Sequence, residues 1–126
     1  MYLFDTNVFL EILLSQEKSS ECKKALVDKA GEIFISNFSL HSIGVILFRH
    51  DKEDVFNKFT EDILPNVEVI SLKIESYNKL SALRDTYNLD FDDSYQYKVA
   101  KENGLAIVTM DKDFKRVAEK IIVEFL

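Results

Sequence analysis

The chain has 126 residues, of which 47% are hydrophobic and 30% charged, proportions that suit one soluble domain (1–126) with a substantial core and little room for a second. Its 16 basic residues against 22 acidic ones give a net charge of −6, which argues against a general nucleic-acid coat protein; a nuclease is still allowed, because cations at an acidic site offset such a charge. Cys22 is the only cysteine, so neither an intrachain disulfide nor a cysteine zinc cluster is available, and the residue is read as a small apolar filler in a helix.

Met1-Tyr2-Leu3-Phe4-Asp5 lacks the basic region of a targeting segment. The longest run free of Asp, Glu, Lys and Arg, residues 33–48, is broken by Ser36, Asn37, Ser39, His41 and Ser42 and falls short of the ~20 apolar residues of a membrane span. The expected compartment is therefore the cytoplasm, with no membrane partner.

In chain order, Tyr2-Leu3-Phe4 predicts a short strand that stops at Asp5. A helix follows over Asn7–Leu14, with Val8 and Ile12 on one face. Ser19 and Ser20 are placed to cap a second helix carrying Cys22, Ala25, Leu26 and Ala30, which Gly31 ends. Ile33–Ser36 predicts a buried strand. Ser39 opens a helix with Ile43, Ile46 and Leu47 inward, and Asp51 opens another with Val55, Phe56, Phe59 and Ile63, which must stop before Pro65. Val67–Ile70 predicts a third strand. Ile74 to Tyr87 fits a helix, and Asp92 or Asp93 starts the next, which ends at Asn103-Gly104. Ala106–Thr109 predicts a fourth strand, Asp113–Ala118 a short helix and Ile121–Val123 a last strand.

Apolar strands alternating with helices imply an α/β fold, a mainly parallel sheet covered on both faces, with ligands bound beyond the carboxyl ends of its strands. Three acids fall there: Asp5 after the first strand, Asp93 at the head of the helix leading into the fourth, and Asp111 just past that strand. Singly, each has a structural use: Asp5 as a helix cap, Asp92 and Asp93 at a positive helix end, Asp111 and Asp113 in a turn. Together they converge on one sheet edge, where several carboxylates repel unless protons or cations intervene. Oxygen donors without a Cys or His cluster suit Mg²⁺ or Mn²⁺, and such a centre can hydrolyse phosphodiesters.

Phe4-Asp5-Thr6-Asn7, Asp93-Ser94-Tyr95-Gln96-Tyr97-Lys98-Val99-Ala100 and the closing Gly104-Leu105-Ala106-Ile107-Val108-Thr109-Met110-Asp111-Lys112-Asp113-Phe114 resemble, in order, motifs of PIN domains of the VapC toxin type. The resemblance covers nearly the whole chain. It implies a three-layer fold around a parallel sheet of about five strands and an Mg²⁺- or Mn²⁺-dependent endoribonuclease site. Asp5, Asp93 and Asp111 would be the catalytic, metal-binding acids. Thr6, Asn7, Ser42, Thr109 and Asp113 would surround them, Thr6 and Asn7 orienting Asp5 or a water. It also implies an RNA substrate, a small antitoxin whose tail occupies the site, and a homodimer.

Ser42 stands where the family usually places a glutamate, which opens a second reading: a catalytically weakened PIN module that binds RNA or protein. His41 and Glu11 are poor substitutes, read respectively as a packing or surface residue and as a solvated acid; Asp113 is the better spare. Arg49 and, four apart, Lys112 and Arg116 are candidate RNA contacts, with a solvated charged face as the simpler use. The Phe-rich stretches are expected in the core more than as base-stacking platforms. Phosphotransfer folds fit poorly: a haloacid dehalogenase-type phosphatase needs an acid where Asn7 stands, and a response-regulator receiver needs paired acids where Asp5 stands alone.

Overall fold

The computed structural model describes residues 1–126. Its apolar runs form five short strands: β1 (Tyr2–Phe4), β2 (Ile33–Ser36), β3 (Glu68–Ile70), β4 (Ala106–Thr109) and β5 (Val123–Phe125). Six α-helices connect them: α1 (Thr6–Leu13), α2 (Ser19–Asp28), α3 (Asn37–Arg49), α4 (Glu53–Asp62), α5 (Leu80–Tyr87) and α6 (Phe91–Glu102). Every strand pairing is parallel, and the order is β3-β2-β1-β4-β5. The chain builds outward from β1 in one direction and then returns to β1's other side with β4. The carboxyl ends of β1 and β4 therefore flank the point where strand order reverses, which is where open α/β sheets leave a crevice.

Successive strand residues point to opposite faces, and both faces are covered. Leu3 and Ile107 pack with Leu80, Leu89, Tyr95, Val99, Phe114 and Val117 on the side of α5 and α6. Phe4, Val108 and Ile35 pack with Val8, Phe9, Ile43, Leu47 and Phe59 on the side of α1, α3 and α4. This is the expected α/β three-layer architecture. Cys22 is buried in the second cluster, as its filler role requires. No helix is long and apolar enough to cross a membrane.

Several boundaries differ from the sequence reading, each for a local reason. Ser36, not Ser39, caps α3: its Oγ accepts from Ser39 N–H at 3.0 Å, and Ser39 lies buried within the helix. Ser19 begins α2 but makes no side-chain cap, and Lys18 precedes it. Asp51 adopts φ 56°, a turn conformation, so α4 begins at Glu53. Residues 74–79 wind as a 3₁₀ helix, and the α-helix starts only at Leu80. Asp90 caps α6, its carboxylate accepting from Asp93 N–H at 2.9 Å; Asp92 is therefore an exposed residue of the first turn and not the cap. The last strand is shifted to Val123–Phe125, where Val123 pairs with Ile107. Glu11 is buried and accepts from Lys18 N–H at 2.8 Å, tying the α1–α2 turn; it is not a solvated acid.

Candidate metal centre

The cleft at the strand reversal has a volume of about 230 Å³ and is lined by Asp5, Thr6, Asn7, Ser42, Asp93 and Asp111, with Phe38, Asp90, Asp92 and Gln96 among its further walls. Each acid arrives by a different route. Asp5 follows β1, where its N–H donates to Val108 O at 2.9 Å and extends the ladder. Asp111 follows β4 and is held by its own N–H donating to Thr109 Oγ1 at 2.9 Å. Asp93 sits in the first turn of α6, fixed by the Asp90 cap.

Asp93, Asp111 and Asp113 each place a carboxylate oxygen within 4.8 Å of the others. Asp5 lies in the floor of the same cleft with its oxygens already engaged. Its Oδ1 accepts from Thr6 N–H at 2.9 Å and from Gln96 Nε2 at 3.1 Å, and its Oδ2 from Thr109 Oγ1 at 2.8 Å. Burial raises the Asp5 carboxyl, the three donors pull it back, and the Asp111 charge adds a smaller upward push. Asp93 has no comparable set of donors. Burial first, then the charges of Asp111, Asp90, Asp5 and Asp113, push it up to about 7. Without a cation the cleft thus holds a proton near neutral pH in place of the last negative charge.

A buried polar network that the sequence reading missed stands behind Asp5. Gln96 donates to Ser39 Oγ at 2.8 Å as well as to Asp5, and its Oε1 accepts from Ser36 Oγ at 2.7 Å. Thr6 Oγ1 donates to Ser39 Oγ at 2.8 Å, so α1, β2, α3 and α6 meet in this network. Gln96 was detectable in principle, because it lies three residues after Asp93 and so shares its helix face.

The remaining candidates divide. Asn7 and Ser42 reach the cleft wall, Asn7 exposed and Ser42 half-buried, and neither hydrogen-bonds to Asp5, whose side-chain partners are Thr6, Gln96 and Thr109. His41 points away, its Nδ1 on the Asn37 carbonyl at 3.1 Å. Lys112 is exposed directly after Asp111. Residues 112–117 form a 3₁₀ helix with about three residues per turn, so Lys112 and Arg116 do not stack. Arg116 instead meets Asp113 at 3.3 Å and donates to Asn88 O at 2.9 Å. Arg49 ends α3, about 10 Å along the axis from Ser42, and does not line the cleft.

The donor chemistry fits a hard divalent cation. The oxygens come from carboxylates, no Cys or His lines the cleft, and mutual repulsion gives a cation something to relieve. Asp93, Asp111 and Asp113 are the residues that could hold it, with Asp5 in the floor.

The sequence profile described as PIN domain matches residues 2–120. A search of curated proteins finds no match. Among solved structures, the chain is similar to one from a toxin–antitoxin complex of Klebsiella pneumoniae at 26% identity and TM-score 0.73, covering 90% of each chain. It is also similar to one from VapBC2 of Rickettsia felis, bound to a promoter DNA fragment, at 20% identity and TM-score 0.79, covering 98% and 97%. Mycobacterium tuberculosis VapC20, described as a sarcin–ricin loop cleaving toxin, aligns at 16% identity and TM-score 0.80, covering 97% of each chain. At the two lower identities the likeness speaks to fold alone. With a profile match over residues 2–120, nearly its whole length, the chain belongs to the PIN-domain family.

Proposed function

We propose that this protein is a divalent-metal-dependent endoribonuclease, acting in the cytoplasm as the toxin of a toxin–antitoxin pair. The observation that carries the reading is the convergence of Asp93, Asp111 and Asp113 within 4.8 Å, over a buried Asp5, at the strand reversal. Mg²⁺ or Mn²⁺ bound there supplies Lewis-acid polarisation of a phosphoryl oxygen and acidifies water for attack on the phosphodiester. The chain's own residues do the rest. Gln96, Thr109 and the Thr6 N–H fix Asp5 in one orientation. The Asp90 cap and the Thr109 hydroxyl hold the backbone at Asp93 and Asp111. Asp93, whose carboxyl is pushed up to about 7, would bind such a cation in its deprotonated form. Lys112, exposed beside Asp111, is the nearest lysine in sequence for a substrate phosphate.

Support for an antitoxin comes from the fold's neighbours, which include toxin–antitoxin complexes. An uncovered apolar groove of about 580 Å³ between α3 and α4 exposes Val45 and Phe48, and this reading assigns it to the antitoxin.

The test is cleavage of a mixed RNA pool by the purified chain in Mn²⁺, Mg²⁺ or EDTA, beside Asp93→Asn. Metal-dependent cleavage lost in the variant supports the nuclease. No cleavage by folded, partner-free protein in either metal overturns it. One observation favours a second reading in that event: Ser42, not a carboxylate, lines the cleft at the family's glutamate position, as in a module that binds without cutting.

A further inference from the structure

Next to the acidic cleft lies a second cavity of about 240 Å³, whose wall is aromatic: Phe38, Tyr77, Phe91 and Tyr95, with Asn37 and His41 at the edge. Phe38 belongs to the walls of both cavities. Phe91 and Asp93 are two residues apart on α6, about 200° around its axis, so the aromatic dish and the acids lie on either side of one helical turn. Tyr95, four residues after Phe91, shares its face and is buried beneath it with ring centroids 6.3 Å apart. Phe38 and Tyr77 complete the dish, their centroids 5.7 and 5.9 Å from Tyr95.

Two features distinguish this dish from ordinary core. The first is exposure: Phe91 is 57% exposed and Tyr77 41%, a cost that packing alone does not require. The second is a fixed polar edge. Asn37 Oδ1 accepts from Phe38 N–H at 2.9 Å and from Tyr95 Oη at 2.6 Å, and Tyr95 Oη in turn accepts from Leu72 N–H at 2.9 Å. The amide is thereby locked with its Nδ2 free of any protein partner, and since no buried side-chain nitrogen lacks a partner, that NH₂ is open to solvent. His41 Nδ1 faces the Asn37 carbonyl, which can only accept, so the proton sits on Nδ1 and the neutral ring offers Nε2 as an acceptor. Flat apolar rings with one fixed donor and one acceptor at their rim match the faces and edge of a heterocycle. The volume falls below the ~300–1,000 Å³ usual for larger ligands.

We propose that this dish is a nucleobase subsite: a base of single-stranded RNA beside the phosphodiester in the acidic cleft stacks on Phe91 and Tyr77, with its edge against Asn37 Nδ2 and His41 Nε2. The proposal rests on the nuclease reading for the identity of the strand. Its contiguity with the acid cleft favours a base over a protein segment, because the base is what a strand held by its phosphate places next door. Phe91 and Tyr77 are then specificity-determining residues, since aromatic stacking gives affinity and the amide–imidazole pair reads the edge.

The experiment measures binding of a fluorescein-labelled single-stranded RNA of about 12 nucleotides by anisotropy, in EDTA and in Mn²⁺. It compares the full chain with Phe91→Ala, Tyr77→Ala and Phe91→Trp, and follows cleavage of the same RNA. Phe91→Ala should weaken binding about tenfold, the loss of one stacked base, and Phe91→Trp should retain it. The dependence of affinity on salt should keep its slope, because no phosphate contact is lost. Replacing one nucleotide at a time by an abasic residue should reveal a position that costs the wild type about tenfold and costs Phe91→Ala nothing more. Variants that bind and cleave like the wild type overturn the subsite while leaving the nuclease standing. Aromatic-dependent binding without cleavage does the reverse. A Phe91→Ala chain that changes oligomeric mass but not RNA affinity makes the dish a contact between copies and overturns the proposal, as does a wild-type chain that binds no RNA in either condition.

Discussion

Replacing Asp93 by Asn should make the metal-free protein more stable at pH 8 and leave it almost unchanged at pH 4. In the folded chain burial and four neighbouring acids push Asp93 up to about 7, against 3.8 for an ordinary aspartate. Between those values the native state holds a proton that the unfolded chain has released, so stability falls as pH rises from about 4 to about 7 and is flat above. The penalty at pH 8 has a ceiling of about 4 kcal/mol. The cleft opens to solvent, which screens the repulsion, and the charge also gains about 0.5–1 kcal/mol from the amino end of α6. A net gain of about 1–2 kcal/mol remains for the variant, about 4–8 °C in Tm for a chain of this size. Thermal denaturation followed by circular dichroism in EDTA at both pH values reads it directly. With saturating Mn²⁺ at pH 8 the order should reverse, because the wild type gains the binding free energy and the variant loses a ligand. Equal Tm values at pH 8 in EDTA, or a variant destabilised alike at both pH values, would refute the claim that this carboxylate is held against its neighbours' charge.

Three further outcomes follow from the same geometry. Gln96→Ala strands the buried hydroxyls of Ser36 and Ser39 and removes a donor from Asp5, so urea unfolding should show a loss of about 1–3 kcal/mol, more than an exposed glutamine would give. Ser42→Glu adds a carboxylate to the cleft; it should lower Tm in EDTA at pH 8 and tighten Mn²⁺ binding by calorimetry, and an unchanged affinity would mean that position 42 does not reach the cation. Mn²⁺ binding should release protons and strengthen between pH 6 and pH 8 as Asp93 deprotonates, which calorimetry in buffers of different ionisation enthalpy measures.

The order of elements was legible in the sequence because it rests on local signals. Ile33–Ser36 is a short apolar run between Glu32 and Asn37, Ala106–Thr109 lies within one between Gly104 and Asp111, and both strands appear with the predicted ends. Gly104 supplies the positive φ, 65°, that stops the chain after α6 and turns it into β4. The opening and closing aspartates were legible for a related reason: in a parallel sheet a polar residue just beyond an apolar strand must lie at its carboxyl edge. Capping was less legible. Ser36 reads as a strand end, and the sequence puts the start of α6 at Asp92 or Asp93 with no role for Asp90; which of several nearby polar residues caps a helix depends on backbone angles that the sequence states only weakly.

Tertiary structure alone decided the rest. That Glu11 would be buried on Lys18 N–H, that Arg116 would be spent on Asp113 and Asn88, and that Asp113 would join Asp93 and Asp111 more closely than Asp5 does are all consequences of where distant segments meet. The same is true of Gln96, whose partners lie 91, 57 and 60 residues away. The Phe-rich stretches show the division most clearly. Helical spacing places Phe59 in the core, and the Phe-rich stretches in general are expected there; Phe4, Phe9, Phe59 and Phe114 are buried, but the pattern could not separate them from Phe91, which the packing of α3 against α6 leaves open beside the acids. A hydrophobic pattern specifies which face of an element seeks cover, whereas only the assembled layers determine which residues find it.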